Sequence, residues 1–135
     1  MEILQVKETC IYVKDLEQTQ KFYSEGLGLP VINKKEGRHI FFNAGTSVLL
    51  CFIPEASAAE TELPPHWSRG PAHLAFEVPH PEYENCKREI SSKGIEIIHE
   101  QHWGNDFRSI YFHDPDGHIL EIVPKGMWDY LGTSG

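Results

Sequence analysis

Residues 109–124 have the sequence SIYFHDPDGHILEIVP, in which two β-prone runs flank the turn Asp-Pro-Asp-Gly. Proline fixes φ at the second position of such a turn, and glycine adopts the positive φ that these turns often require. The run after the turn is apolar except for Glu121. A carboxylate in a buried strand loses its hydration, so it needs a cation or a hydrogen-bond donor as a partner. Glu121 is therefore either a functional residue or a glutamate at an exposed edge.

The length and composition of the chain indicate one globular domain. It has 135 residues, 40% of them hydrophobic, and a net charge of −8. The acidic charge argues against nucleic acid or an anionic membrane as a partner, because both need a basic surface. The chain has no apolar run of about 18 residues that could span a bilayer, and its first residues lack the signal-peptide pattern. Three scattered cysteines form neither a disulfide framework nor a zinc knuckle, so we predict a cytoplasmic protein.

The predicted elements fall into two similar halves joined by a linker. Each half contains a strand, a helix and three further strands, first at 5–54 and then at 71–124, and the linker occupies 55–70. The predicted strands lie at 9–13, 31–33, 38–43, 47–53, 72–78, 95–99, 108–113 and 118–124. This order predicts an α+β fold in a single domain at 1–135. Two βαβββ modules would place their curved mixed sheets around a cleft.

Strand alternation indicates which side chains face that cleft, because successive side chains point to opposite faces of a strand. Aligning the first strand of each half at Val13 and Val78 pairs Glu8 with His73. Aligning the last strand of each half at Pro54 and Pro124 pairs Cys51 with Glu121. We expect the four side chains to line one concavity, and three of them, the two glutamates and the histidine, are good metal ligands. A slip of one residue would reverse the face of Cys51, which is more simply a buried core residue.

The pattern resembles the vicinal-oxygen-chelate superfamily, which includes glyoxalase I, extradiol dioxygenases and bleomycin-resistance proteins. The resemblance extends over residues 6–124. It rests on Tyr12-Val13-Lys14-Asp15-Leu16-Glu17, Phe22-Tyr23, Leu27-Gly28-Leu29, His73-Leu74-Ala75-Phe76 and Asp114-Pro115-Asp116-Gly117 with Glu121. More loosely, segments 36–39, 65–70 and 108–111 resemble a group of bacterial glyoxalase-like proteins of unassigned activity.

The resemblance implies a divalent metal ion, with Zn, Ni, Mn and Fe as candidates, held by His73, Glu121 and Glu8. The family most often has histidine at the first-strand position, so Glu8 is a departure. A set with two carboxylates differs from the two-histidine, one-carboxylate pattern of the oxygenases, which argues against a dioxygenase. Glu8 and Glu121 are also the candidate catalytic residues, because a glutamate that leaves the metal can act as a base.

The function implied is that of a metal-dependent lyase or isomerase of the glyoxalase type. Its substrate would be a small molecule that chelates the metal through vicinal oxygens. The alternative is a non-catalytic small-molecule binder of the bleomycin-resistance type, although such proteins typically lack the metal ligands. A thiol transferase is a weaker fit, since it needs a cationic pocket for phosphonate. Small members of the superfamily commonly pair, so we expect a homodimer, with the cleft within one chain or shared by two.

Six side chains are candidates for substrate binding: Arg38, His39, Trp67, Trp103, Arg108 and Tyr111. Either arginine could clamp a carboxylate or phosphate, although an exposed arginine at a strand end is the simpler interpretation. The two tryptophans are predicted in loops, which favours a pocket wall over the core. The remaining histidines are interpreted as surface or outer-sphere residues: His66, His99, His102 and His113.

Overall fold

Each half of the chain forms one four-stranded sheet with its own helices, and the two units divide after Gly70. The computed structural model describes residues 1–134. The first unit contains β1 (Glu8–Tyr12), α1 (Leu16–Gln20), a π-helical turn (Lys21–Gly26), β2 (Val31–Lys35), β3 (His39–Ala44), β4 (Ser47–Phe52) and α2 (Pro54–Ala58). Its strands lie in the order β1-β4-β3-β2. Strands β1 and β4 run parallel, and the other pairs are antiparallel.

The second unit repeats this arrangement. It contains β5 (His73–Val78), a 3₁₀ turn (His80–Glu82), α3 (Tyr83–Ser92), β6 (Ile97–Gly104), β7 (Phe107–His113), β8 (Ile119–Pro124) and α4 (Met127–Ser134). Its strands lie in the order β5-β8-β7-β6. The edge strand β5 runs parallel to its neighbour β8, and the other pairs are antiparallel. The matching strand orders confirm the predicted α+β fold of two βαβββ modules.

The turn between β7 and β8 has the conformation that its sequence predicts. The Asp114 Oδ1 atom accepts hydrogen bonds from the backbone N–H of Asp116 at 2.9 Å and of His118 at 2.8 Å. Gly117 has a φ of +84°, a value that glycine adopts without steric cost. The buried His118 accepts a hydrogen bond at Nδ1 from the backbone N–H of Ala72, at 2.8 Å. The turn therefore also fixes the residue before β5.

The first helix shows the same agreement between sequence and local structure. Asp15 caps α1, because its Oδ1 atom accepts a hydrogen bond from the Gln18 N–H at 3.0 Å. Gly28 closes the helical region with a φ of +77°. The fully buried Tyr23 packs on Phe42 of β3, with ring centroids 5.6 Å apart. The helix thus covers one face of the first sheet.

Three elements differ from the prediction. The predicted linker at 55–70 overlaps α2, which has proline at its first turn, where the missing N–H costs nothing. Helix α4 follows the last strand. Strand β6 extends beyond the predicted 95–99 to Gly104, so Trp103 lies in a strand, and its predicted position in a loop was wrong. No helix within residues 1–134 is long and apolar enough to cross a membrane.

Alternation divides each sheet into a buried face and a polar face. The buried face packs against the helices of its own unit. Its fully buried side chains include Ile11, Ile40, Phe42, Leu49 and Cys51 in the first unit, and Ile110, Phe112 and Leu120 in the second. The other face, called the polar face below, carries Glu8 and His39 in the first unit and His73, Tyr111 and Glu121 in the second, whereas Arg108 lies on the helix side.

Candidate metal and substrate site

His73 and Glu121 meet on the polar face of the second sheet. Their strands are adjacent and parallel, with Ala75 opposite Glu121 and His73 opposite Ile119. The His73 Nε2 atom lies 3.2 Å from Glu121 Oε1, and Glu121 is only 6% exposed. Glu121, the buried carboxylate that was predicted to need a partner, therefore has one in His73 of the neighbouring strand.

The orientation of the His73 ring suits a metal ligand. Its Nδ1–H donates to the Ile119 carbonyl at 2.8 Å, and a carbonyl can only accept. In the neutral ring, Nε2 then directs its lone pair at the Glu121 carboxylate. Two facing acceptors need a proton or a cation between them, and a backbone carbonyl on the second nitrogen is the usual support of a ligating histidine. Two donor atoms about 2.1 Å from one ion lie about 3.0–3.4 Å apart, so the observed separation fits a metal ion.

Polar side chains of the neighbouring strands surround Glu121. Tyr111 lies directly opposite Glu121, and its hydroxyl interacts with that carboxylate and with Ser109. The Trp103 indole N–H donates to Ser109 Oγ at 3.0 Å. Burial raises the pKa of Tyr111, and the Glu121 charge adds to this, so the phenol remains a donor at neutral pH. Ser109 was not among the predicted site residues, although it lies two residues before Tyr111 and shares its face.

Two imidazole rings flank Tyr111 on this face. The His73 ring lies 6.1 Å from the Tyr111 ring with a 24° angle between their planes, and the His99 ring lies 5.7 Å from it at 46°. His99 was interpreted as a surface or outer-sphere residue. It is exposed, but it lies on the face that carries Glu121.

Glu8 belongs to the first unit and occupies the position equivalent to His73. It lies opposite Val48, as His73 lies opposite Ile119. It is exposed and shares its face of β1 with Tyr12. Within the described residues of either unit, no three His, Cys, Asp or Glu side chains gather in a group that could hold a metal ion. Ligation by Glu8 therefore stays a prediction.

Cys51 does not occupy the position equivalent to Glu121. In the first unit Cys10 pairs with Leu50, whereas in the second Ala75 pairs with Glu121. Leu50 is therefore the equivalent of Glu121, and the predicted alignment of Cys51 was wrong by one residue. Cys51 is 0% exposed and faces the helices, which makes it a core residue.

His39 lies on an aromatic surface of the first sheet. Its ring stacks on Phe41 with centroids 4.0 Å apart, and its Nε2–H donates to Asn33 Oδ1 at 2.6 Å. Its Nδ1 atom is buried and makes no hydrogen bond to any of residues 1–134. Burial lowers the pKa of His39, and nearby basic side chains lower it further. The ring is therefore neutral, with its acceptor unused.

Both candidate arginines are bound to carboxylates of their own unit. Arg38 forms an ion pair with Glu60. Arg108 pairs with Glu84, and its guanidinium lies 5.2 Å from the centre of the Tyr83 ring. These contacts are made with α3, so Arg108 lies on the sheet face opposite to the His73–Glu121 pair.

The loop after α2 carries the remaining candidate. Trp67 is 56% exposed, and the Arg69 guanidinium lies 5.6 Å from the centre of its ring. The neighbouring His66 is bound to the first sheet through its Nδ1 atom, 2.6 Å from the Tyr12 hydroxyl. Trp67 therefore follows directly on a residue that is bound to the first sheet.

The family model described as the Glyoxalase/Bleomycin resistance protein/Dioxygenase superfamily matches residues 5–122. The chain belongs to this superfamily. The match confirms the resemblance that its motifs predicted.

Similar proteins span nearly the whole chain. The crystal structure of lactoylglutathione lyase from Agrobacterium tumefaciens has a TM-score of 0.87 and 30% identity, covering 92% of this chain and 96% of that chain. The fosfomycin resistance protein FosX from Listeria monocytogenes, solved with Mn(II) and 1S,2S-dihydroxypropylphosphonic acid, shares the fold at a TM-score of 0.73 and 21% identity, covering 99% and 100%. The metallothiol transferase FosB of Bacillus licheniformis is 26% identical over 96% of this chain and 81% of its own length.

Proposed function

We propose that this protein is a metal-dependent enzyme of the lyase or isomerase type, acting on a small molecule with vicinal oxygens. The observation that carries the proposal is the His73–Glu121 pair, with 3.2 Å between the Nε2 atom and a carboxylate oxygen. A metal ion between the two atoms would satisfy both of them. The likeness to a lactoylglutathione lyase at 30% identity supports the same class of reaction.

We assign His73, Glu121 and Glu8 as the ligands of a divalent ion, with Zn, Ni, Mn and Fe as candidates. When bound, such an ion stabilises negative charge that develops on a substrate oxygen. The chain would then move the proton between neighbouring substrate atoms. We assign that step to Glu8 or Glu121. Glu8 is the exposed one of the two, so it has more freedom to turn from a ligand position to a substrate.

The surrounding side chains have separate roles in this proposal. Tyr111 orients Glu121 through its hydroxyl, and its ring offers a surface for a planar substrate. His39, Trp67 and Trp103 supply further aromatic contacts. Arg38 would bind an anionic substrate only by leaving Glu60. Arg108 would likewise bind an anionic substrate only if its guanidinium left Glu84 of α3.

The second candidate is a thiol transferase, favoured by the likeness to FosB over 96% of the chain. A phosphonate substrate needs cationic side chains in the site. The two candidate arginines are held by Glu60 and Glu84. This pairing favours the lyase or isomerase. A non-catalytic binder remains the alternative if the protein takes up no metal.

The metal content of the purified protein tests the proposal. We expect stoichiometric metal in the wild type and its loss in His73→Ala and Glu121→Ala. His102→Ala is the matched control, because it removes an exposed imidazole from β6. A Glu8→Ala protein that keeps its metal but loses activity would identify Glu8 as the base. Absence of metal after reconstitution with Zn, Ni, Mn and Fe would refute the enzyme and leave the binder.

Activity assays distinguish the two enzyme candidates. We expect the metal-loaded protein to convert the hemithioacetal of a 2-oxoaldehyde and glutathione to a thioester. Addition of a thiol to the fosfomycin epoxide, without the first activity, would instead favour the transferase. Sedimentation of the same samples tests the proposed homodimer.

A further inference from the structure

A bulge in β6 sets the direction of His99. Ile97 lies opposite Phe112, but the next pair is His99 opposite Tyr111. Strand β6 therefore advances two residues while β7 advances one, and Ile98 is the extra residue. In a regular ladder Ile98 would face Tyr111, and His99 would lie on the side of α3. Bulges often redirect a side chain beside a functional site, and this one turns His99 to the polar face.

The bulge completes a row of functional side chains across three strands. Glu121 of β8 lies opposite Tyr111 of β7, which lies opposite His99 of β6. With neighbouring strands about 4.8 Å apart, the backbones of Glu121 and His99 are about 10 Å apart. The Tyr111 ring lies between them, 5.7 Å from the His99 ring. The distance suits a planar molecule with one end at the metal ligands and the other at His99.

The chemistry of the His99 ring determines which group it can receive. Its Nε2 atom lies 2.9 Å from Gln101 Oε1. An amide oxygen only accepts, so Nε2 carries the hydrogen and Nδ1 of the neutral ring is an acceptor. Nδ1 makes no hydrogen bond within the part of the chain that the structure describes, and the residue is exposed. The ring is thus held by Gln101 with an open acceptor.

We propose that His99 selects substrates that carry a hydroxyl or N–H group at the end remote from the chelating oxygens. This inference rests on the proposed function, because His73 and Glu121 must hold those oxygens through the metal. The planar part of the substrate lies over Tyr111, and its remote donor binds His99 Nδ1. The substrate class is therefore a planar chelating compound with a distal hydrogen-bond donor.

Binding of two matched chelators to the metal-loaded protein tests this role. The probes are 4-hydroxybenzohydroxamic acid and 4-methoxybenzohydroxamic acid, which share the chelating group and ring but differ in the distal donor. Calorimetry should show the hydroxy compound binding about tenfold more tightly to the wild type, as one hydrogen bond implies. His99→Phe keeps a ring beside Tyr111 but lacks the acceptor, so the preference should vanish. His102→Phe, on the same strand, should retain it.

The outcomes separate this inference from the function on which it rests. Equal binding of the two probes by the wild type would overturn the role of His99 and leave the metal site intact. A preference that persists in His99→Phe would overturn it in the same way. Failure of both hydroxamates to bind the metal-loaded wild type would refute the proposed function and this inference with it. Near-ultraviolet circular dichroism of each variant excludes misfolding as the cause.

Discussion

The substitution Tyr111→Phe tests the support of Glu121 by a single hydroxyl. The phenol hydroxyl interacts with the Glu121 carboxylate, and the ring lies between the rings of His73 and His99. Phenylalanine keeps the ring and removes only the donor. Loss of a hydrogen bond that orients a metal ligand from outside the coordination sphere typically lowers metal affinity by about 10- to 100-fold. This range corresponds to about 1.4–2.8 kcal/mol of binding free energy.

Tyr83→Phe is the matched control, because it removes the same kind of bond on the other face of the same sheet. The Tyr83 hydroxyl donates to Glu100 Oε2 at 2.7 Å, and Tyr83 is 4% exposed. A hydrogen bond to a charged group contributes about 1.5–3 kcal/mol to folding. We expect Tyr83→Phe to lose that stability in urea unfolding and to bind metal as tightly as the wild type.

Competition titration with a chromogenic chelator measures the metal affinity of the three proteins. The expected result is weaker binding in Tyr111→Phe alone. Equal metal affinity in Tyr111→Phe and the wild type would refute the role of the hydroxyl. An equal loss in both variants would show that general destabilisation, rather than the bond to Glu121, controls metal binding.

Three further predictions concern the first unit. Asp15→Ala removes the cap of α1 and should lower the free energy of unfolding in urea by about 1 kcal/mol. Asp15→Asn should retain most of the stability of the wild type, because asparagine can also cap a helix. An Asp15→Ala protein as stable as the wild type would contradict the capping bond. Hydrogen bonds from the Glu62 N–H and from Arg38 lower the pKa of Glu60 from 4.5 to about 2. A lowered pKa in the folded state gives stability that is present above pH 4.5 and is lost as the pH falls towards about 2. The difference in melting temperature between the wild type and Glu60→Gln should therefore shrink over that pH range. A constant difference would argue against an ionised Glu60–Arg38 pair. Cys51→Ala removes a buried thiol and should cost about 1 kcal/mol in unfolding with unchanged metal content, whereas metal loss would restore Cys51 as a ligand.

The sequence predicted the features that depend on local patterns. Period-two alternation placed His73 and Glu121 on one face of their strands, and the structure brings them within 3.2 Å of each other. The Asp-Pro-Asp-Gly turn and the cap at Asp15 also follow from neighbouring residues, so both were visible in the chain itself. The family match confirms the motifs that these elements carry.

Strand register was the first feature that local patterns could not determine. Cys51 and Leu50 alternate equally well in β4, and only the pairing of β1 with β4 shows that Leu50 matches Glu121. A shift of one residue exchanges the two faces without altering composition or periodicity. Pairing between distant strands therefore decided which of the two residues lies on the polar face of the sheet.

The partners of charged and polar side chains were the second such feature. A strand-end arginine such as Arg108 is compatible with a substrate clamp or with a surface ion pair. Only the packing of α3 on the sheet brings Glu84 to it. The position of His99 likewise depends on strand pairing. The extra residue Ile98 turns His99 to the face that carries Tyr111 and Glu121, which simple alternation along β6 does not predict.

The chain by itself thus determined the fold, the superfamily and the carboxylate in the last strand that needs a partner. The tertiary structure showed that the predicted partner His73 lies 3.2 Å from that carboxylate, and it added Tyr111 and Ser109 to its surroundings. The physical reason is that alternation and turn geometry act over a few residues. Hydrogen bonds between strands join residues that are far apart in sequence.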